Sequence, residues 1–167
     1  MIEIFKNIVR FIVLVLLQVL VFNRIEISEF LSPMIIVAFI ISLPFNTPKW
    51  LLLVSSFLLG LTVDMFMNTP GILSFTAVLI VYLRPTFLQV IQPRDGYAIG
   101  ALPKVSDLGW TWFFQYSMVL TIGFHFTYFF ILGFVQDNFL VTLWKTIISS
   151  AFTLFFILVF QIFSAKK

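Results

Sequence analysis

The residue whose type and position most invite a chemical role is Asp64. It lies between two strongly apolar runs, in the stretch GLTVDMFMNTPG from Gly60 to Gly71. Burying a carboxylate without partners is costly, so its position calls for compensating contacts. Asp64 either caps and packs against a neighbouring helix or contacts a partner or ligand, and the two roles do not exclude each other.

A local partner for Asp64 follows a few residues later. The sequence Thr69-Pro70-Gly71 predicts the start of a helix, with Thr69 as its N-cap and Pro70 at its first helical position. The first N–H groups of that helix would then point toward the same turn as Asp64. We therefore expect Asp64 to accept hydrogen bonds from them.

Small and polar residues recur every fourth position around Asp64. Such residues share one face of a helix, and in lipid they let helices approach closely and bond across the contact. This face predicts a packing or partner seam formed by Ser56, Gly60, Asp64 and Asn68, continued by Pro70 and Gly71.

Two further polar positions stand inside apolar runs. Arg84 is followed by Pro85, and we expect the proline to kink the helix and the arginine to reach the membrane surface as a helix-end anchor. His125 lies near the middle of another run. With no second acid obviously beside it, a hydrogen-bonded packing role is favoured over proton transfer.

Several kinds of chemistry have no support in the sequence. It contains no cysteine, no glycine-rich phosphate loop, no HExxH helix and no closely spaced carboxylate pair within one apolar run. Its basic residues are too scattered for a nucleic-acid surface. We therefore expect no catalytic residues, cofactor, metal or nucleic-acid partner.

Composition places the chain in a membrane. Hydrophobic residues make up 61% of it and charged residues 10%, and the mean hydropathy is +1.11. Soluble domains are about 45–50% apolar and about 25% charged. The sequence predicts a single all-α integral membrane domain over residues 1–167, surrounded by lipids.

A helix needs about 20 residues to cross the hydrocarbon core. We predict about six spans, of which the second is short, has Pro33 and Pro44 near its ends, and could instead be tilted, interfacial or re-entrant. The predicted spans are residues 8–23, 31–45, 50–67, 70–91, 110–135 and 139–163.

Positive charge predicts the orientation. With the N- and C-termini in the cytoplasm, eight of the ten basic residues lie inside and only Arg24 and Lys145 lie outside. The one longer connection, Gln92–Gly109, is then cytoplasmic. Trp50, Trp110 and Trp112 would form an aromatic belt on the inner side.

The chain resembles a known family at these residues. Gly60, Leu61, Asp64 and Gly71 fit a motif of MreD, the rod shape-determining membrane protein of bacteria. The stretches LPFNTPKW and PRDGY resemble its Bacteroidetes branch, followed by Pro103 and the segment Gly109–Phe113. Size and span count match as well, so the resemblance covers essentially the whole chain.

The resemblance implies a non-enzymatic scaffold of the cell-elongation machinery in the bacterial cytoplasmic membrane. Such a protein binds MreC and helps couple MreB filaments, indirectly, to the peptidoglycan synthases RodA and its penicillin-binding partner. It also implies a helical bundle similar to the S components of energy-coupling-factor transporters, with no small-molecule substrate.

The competing interpretation is a vitamin-binding subunit of such a transporter. It requires polar side chains that converge at one level, and a lipid-modifying enzyme would require a catalytic constellation that the sequence lacks. The polar candidates inside the spans are Gln18, Ser56, Asp64, Gln115, Thr121, His125 and Gln161.

Overall fold

The computed structural model describes residues 2–24, 31–69, 71–94, 96–98, 101–134 and 138–165. Within these ranges the chain is built from helices and contains no strand. A short 3-10 turn, Phe22–Arg24, follows the first helix. The α-helices are α1 (Ile2–Leu20), α2 (Val37–Ser42), α3 (Lys49–Met67), α4 (Ile72–Val90), α5 (Val105–Leu132) and α6 (Phe139–Ala165).

Four of these helices, α3 to α6, are long and apolar enough to cross a membrane, and α1 contains a shorter apolar stretch, Asn7–Leu20. The most extensive contacts join α3 to α4, α5 to α6 and α4 to α5, while α1 packs against α3 and α2. The predicted all-α membrane bundle is therefore confirmed, and the chain is that of a multi-pass membrane protein.

Several predicted boundaries are close to the observed ones. Helix α3 begins one residue before the predicted start, and α6 begins at the predicted residue. Helical residues of α5 begin earlier than expected, at Val105, but Gly109 interrupts them with φ 81° and ψ 168°, so the continuous part of the helix begins at the predicted Trp110. Only glycine adopts that backbone conformation readily.

The second predicted span, 31–45, is not a continuous helix, and the alternatives to a regular crossing helix apply to it. Only α2 is helical there; Leu31–Met34 has no regular structure, and a turn leads into the helix. The prolines explain both limits. Pro33 lacks an N–H and disfavours helix before it, and Leu43, which precedes Pro44, is extended at φ −66° and ψ 134°.

This segment nevertheless returns through the bundle, antiparallel to α1. Gln18 near the end of α1 donates from Nε2 to the Pro33 carbonyl at 3.0 Å, whereas Arg10 donates from Nη1 to the Ser42 carbonyl at 3.4 Å. Increasing residue number in the segment thus matches decreasing number in α1. The segment lies beside α1 where the predicted second span would lie.

Irregular backbone at membrane depth is tolerated only where protein groups satisfy it, because the hydrocarbon core holds no water. Helix α6 supplies those groups. Ser149 Oγ accepts the Ser32 N–H at 3.1 Å, and Thr153 Oγ1 accepts the Met34 N–H at 3.2 Å. The small hydroxyl residues of α6 therefore fix the unwound segment inside the bundle.

We predict that Thr153→Val destabilises the protein by about 1–3 kcal/mol, because it leaves the buried Met34 N–H without an acceptor while keeping the side chain's shape. Thr62→Val is the matched control, since Thr62 bonds only the Leu58 carbonyl of its own helix. Unfolding in mixed micelles with increasing denaturing detergent measures both. Equal stability of the two variants would contradict the assignment.

Candidate functional site

The carboxylate of Asp64 joins the end of α3 to the start of α4. Asp64 lies in the last turn of α3 and is 2% exposed. Its Oδ1 accepts from Thr69 Oγ1 at 2.9 Å and from the Leu73 N–H at 3.0 Å. Its Oδ2 accepts from the Ser74 N–H at 2.9 Å and from Ser74 Oγ at 2.7 Å. In all four contacts the neighbouring group donates and the carboxylate accepts.

These contacts supply what the start of α4 lacks. The first N–H groups of a helix have no partner inside it, and together they carry a partial positive charge. The N-cap residue of α4 makes no side-chain capping bond. Asp64 fills that role from the preceding helix, as its predicted contact required, and the donors offset the cost of a carboxylate at membrane depth.

The predicted N-cap itself is wrong. The N-cap is Gly71, with φ 85° and ψ −9°, and the first helical residue is Ile72. The Thr69 hydroxyl donates to Asp64, and it is the Thr69 backbone carbonyl that accepts the Ile72 N–H, at 3.2 Å. The predicted role of Pro70 falls outside the described residues.

The predicted seam packs within the chain. A Cβ on Gly60 would lie 2.5 Å from Ser74 Cα, so the missing side chain permits a direct backbone approach between α3 and α4. Ser56 and Asp64 are buried on the same face. Asn68 differs from them: it ends α3 in a left-handed conformation with φ 53°, and it is exposed.

Arg84 is not a surface anchor, which corrects its predicted role. Its side chain is 1% exposed. Its Nε donates to Tyr116 Oη at 2.6 Å, and its Nη2 donates to the Leu43 carbonyl. Since Leu43 ends α2 in an extended conformation, its carbonyl is free to accept. Arg84 thus connects α4 to α5 and to the end of α2, while α4 continues through Pro85.

An aromatic cluster lies beside Arg84. Trp112, predicted for the membrane-surface belt, is instead 7% exposed; its indole N–H donates to the Ile91 carbonyl at 3.0 Å. Its ring stacks on Tyr116 with centroids 4.9 Å apart. In the α4–α5 connection, Tyr97 donates to the Leu88 carbonyl at 2.7 Å, and partial burial raises the pKa of its hydroxyl, which therefore remains a donor.

His125 belongs to a hydrogen-bonded chain that also holds the unwound segment. Its Nδ1 lies 2.9 Å from the Thr121 carbonyl, which can only accept, so Nδ1 carries a proton. Its Nε2 lies 3.2 Å from Thr153 Oγ1, which itself accepts the Met34 N–H. This arrangement matches the favoured packing role. Sequence reasoning missed Thr153 and Ser149, because nothing local distinguishes them from other hydroxyl residues in α6.

The polar side chains named as candidates for a carrier pocket do not all meet, although Gln18 and, through Thr153, His125 both bond the unwound segment. Gln18 bonds the unwound segment, Asp64 bonds α4, and Gln115 is exposed. Among the described residues, no group of three histidine, cysteine or acidic side chains could hold a metal ion. The observed contacts fix two helix ends and one irregular segment in place.

We predict that Asp64→Asn lowers the free energy of unfolding by about 1–3 kcal/mol. The amide NH2 of the asparagine would face a backbone N–H and could not accept a hydrogen bond from it. Ser74→Ala is the control, since it removes one hydroxyl donor and leaves the backbone bond to Oδ2 intact. The same unfolding assay compares them. A wild-type stability for Asp64→Asn would show that the four contacts do not support the junction.

We also predict that Gly60→Ala destabilises the bundle by about 1–3 kcal/mol through overpacking against the α4 backbone. Gly123→Ala provides the comparison, because its added Cβ would meet only the tip of the Ile80 side chain, at 3.2 Å, which can move. Thermal unfolding in detergent should therefore separate the two alanine variants. Similar melting temperatures would refute the close approach.

Comparison with known proteins adds nothing to what the geometry shows. No family model matches the chain, and no curated protein or solved structure is detectably similar to it.

Proposed function

We propose that this protein is a non-enzymatic membrane scaffold of the MreD type, which binds MreC in the bacterial cytoplasmic membrane. Through MreC it would help couple MreB filaments to peptidoglycan synthesis by RodA and its penicillin-binding partner. The observation that supports the proposal is the position of the motif residues in the structure. Gly60, Asp64 and Gly71 come together at one junction, where they build the α3–α4 hairpin.

Three further buried polar side chains support the same proposal. Arg84, His125 and Gln18 all bond to groups of the chain itself. These bonds hold the shape of the bundle, although in the described part of the chain Gln18 Oε1, Thr121 Oγ1 and Ser150 Oγ are buried without a hydrogen-bond partner. The outward faces of the helices are rich in large apolar residues, such as Phe66 and Met65 beside the junction. Such faces suit lipid and partner helices.

The test is co-purification with tagged MreC from native membranes. We expect the chain to be enriched with MreC relative to an unrelated tagged single-span membrane protein expressed at the same level. Asp64→Ala should reduce the recovered complex, the membrane level of the chain, or both, because it removes the acceptor at the junction. Phe66→Ala is a matched surface variant, and it tests binding without disturbing the junction.

Two results would argue against the scaffold. One is recovery with MreC no greater than with the unrelated protein. The other is a rise in melting temperature with riboflavin, thiamine, biotin or folate, which would favour the carrier. If Asp64→Ala leaves complex recovery, membrane level and cell shape unchanged, then Asp64 has no part in the function.

The orientation is a separate prediction. Because the chain has no cysteine, single substitutions report location cleanly. Lys104→Cys, in the α4–α5 connection, should resist a membrane-impermeant maleimide in intact spheroplasts and react after lysis. Asn138→Cys, before α6, should react from outside. The reverse pattern would invert the proposed topology.

A further inference from the structure

A groove that the junction does not use lies between α3 and α4, near the start of α3. Its volume is about 280 Å³. Buried Leu52 and Val81 form part of its apolar wall, and the side chain of Lys49 is exposed at its edge. The full lining is Lys49, Leu52, Leu53, Val81, Tyr82, Pro85 and Thr86.

The residues around the groove place one end of it at the membrane surface. Lys49 is the first residue of α3, and the adjacent Trp50 is 66% exposed. Lysine at a helix end and exposed tryptophan are typical of the boundary between lipid and water. Tyr82 on the other wall is 70% exposed and has a polar tip. The groove therefore extends from the headgroup level into the hydrocarbon region.

The surface end of the groove carries positive charge that the protein does not neutralise. In the described part of the chain, Lys49 makes no ion pair and the Thr86 hydroxyl makes no hydrogen bond. The N-cap of α3 is Pro48, which provides no side-chain cap. The first N–H groups of α3 thus add a partial positive charge beside the lysine.

We propose that this groove binds one anionic glycerophospholipid. An acyl chain would lie along Leu52, Leu53 and Val81, and the phosphate would be held by Lys49 and the Thr86 hydroxyl. A groove of 280 Å³ is slightly below the usual range of ligand pockets, about 300–1,000 Å³, so it accommodates part of one lipid. An apolar partner helix laid over it would enclose the ammonium group of Lys49 without a counter-charge, which is unfavourable.

The test is native mass spectrometry of the protein released from nanodiscs that contain equal amounts of phosphatidylglycerol and phosphatidylcholine. We expect one retained phosphatidylglycerol, favoured about fivefold, as one lysine near an anionic surface provides. Lys49→Gln should bring the ratio close to one. Lys104→Gln should keep the preference, since Lys104 does not line the groove.

Thr86→Trp is the second variant, and it should expel both lipids because the indole fills the groove from an exposed position. Size-exclusion chromatography checks that each variant stays monodisperse. The proposal fails if wild type shows no preference or if Lys49→Gln retains it. It also fails if millimolar inorganic phosphate binds as well as the lipid, or if wild type forms a dimer that Thr86→Trp abolishes, because the occupant would then be free phosphate or a second copy.

Discussion

The structure depends on one constraint, which is that backbone groups inside the hydrocarbon core have no water to bond. Regular helices meet it within themselves except at their ends. This chain departs from regular helix at the start of α4 and over Leu31–Ile36, and at both places side chains from other elements complete the bonding. Asp64 serves the first place. Gln18, Ser149 and Thr153 serve the second.

The same constraint explains why polar residues are buried inside this bundle. An ionisable side chain in a membrane span is by default a candidate for transport or proton transfer. Here Arg84 bonds the carbonyl that ends α2, and His125 bonds a hydroxyl that in turn accepts a backbone N–H. Their cost is offset by bonds that the irregular segment needs. Arg84 and His125 therefore help to hold the fold.

What the sequence allowed us to predict was local or compositional. Hydropathy located the long helices, and the contact between Asp64 and the start of α4 was predictable because Leu73 lies only nine positions after Asp64. The predictions failed where a residue's bonding partners are distant in the sequence. The segment before α2 is apolar enough to pass as a span, and the residues that stabilise it unwound lie 117 and 119 positions away in α6.

Arg84 is a second case in which a distant partner in the sequence decides what a residue does. A lone arginine near a predicted span end is expected to reach toward water, and nothing nearby in the sequence suggests otherwise. Its acceptor at Leu43 lies 41 positions earlier and exists only because Pro44 keeps Leu43 out of the helical conformation. The proline thus ends α2 and frees one of the two acceptors of the arginine, the other being Tyr116.

The residues of the α3–α4 junction depend on one another in a way that bears on function. Without the close approach at Gly60, the Asp64 oxygens would not lie within 3.0 Å of the α4 backbone. Without the left-handed turn at Gly71, α4 would not begin there. A change at any of these buried positions acts through the fold and should alter the amount of protein and its binding together. Changes at the exposed Met65 or Phe66 can alter binding while the amount of protein stays the same. Variants that lose binding alone would therefore identify a partner that contacts this end of the bundle.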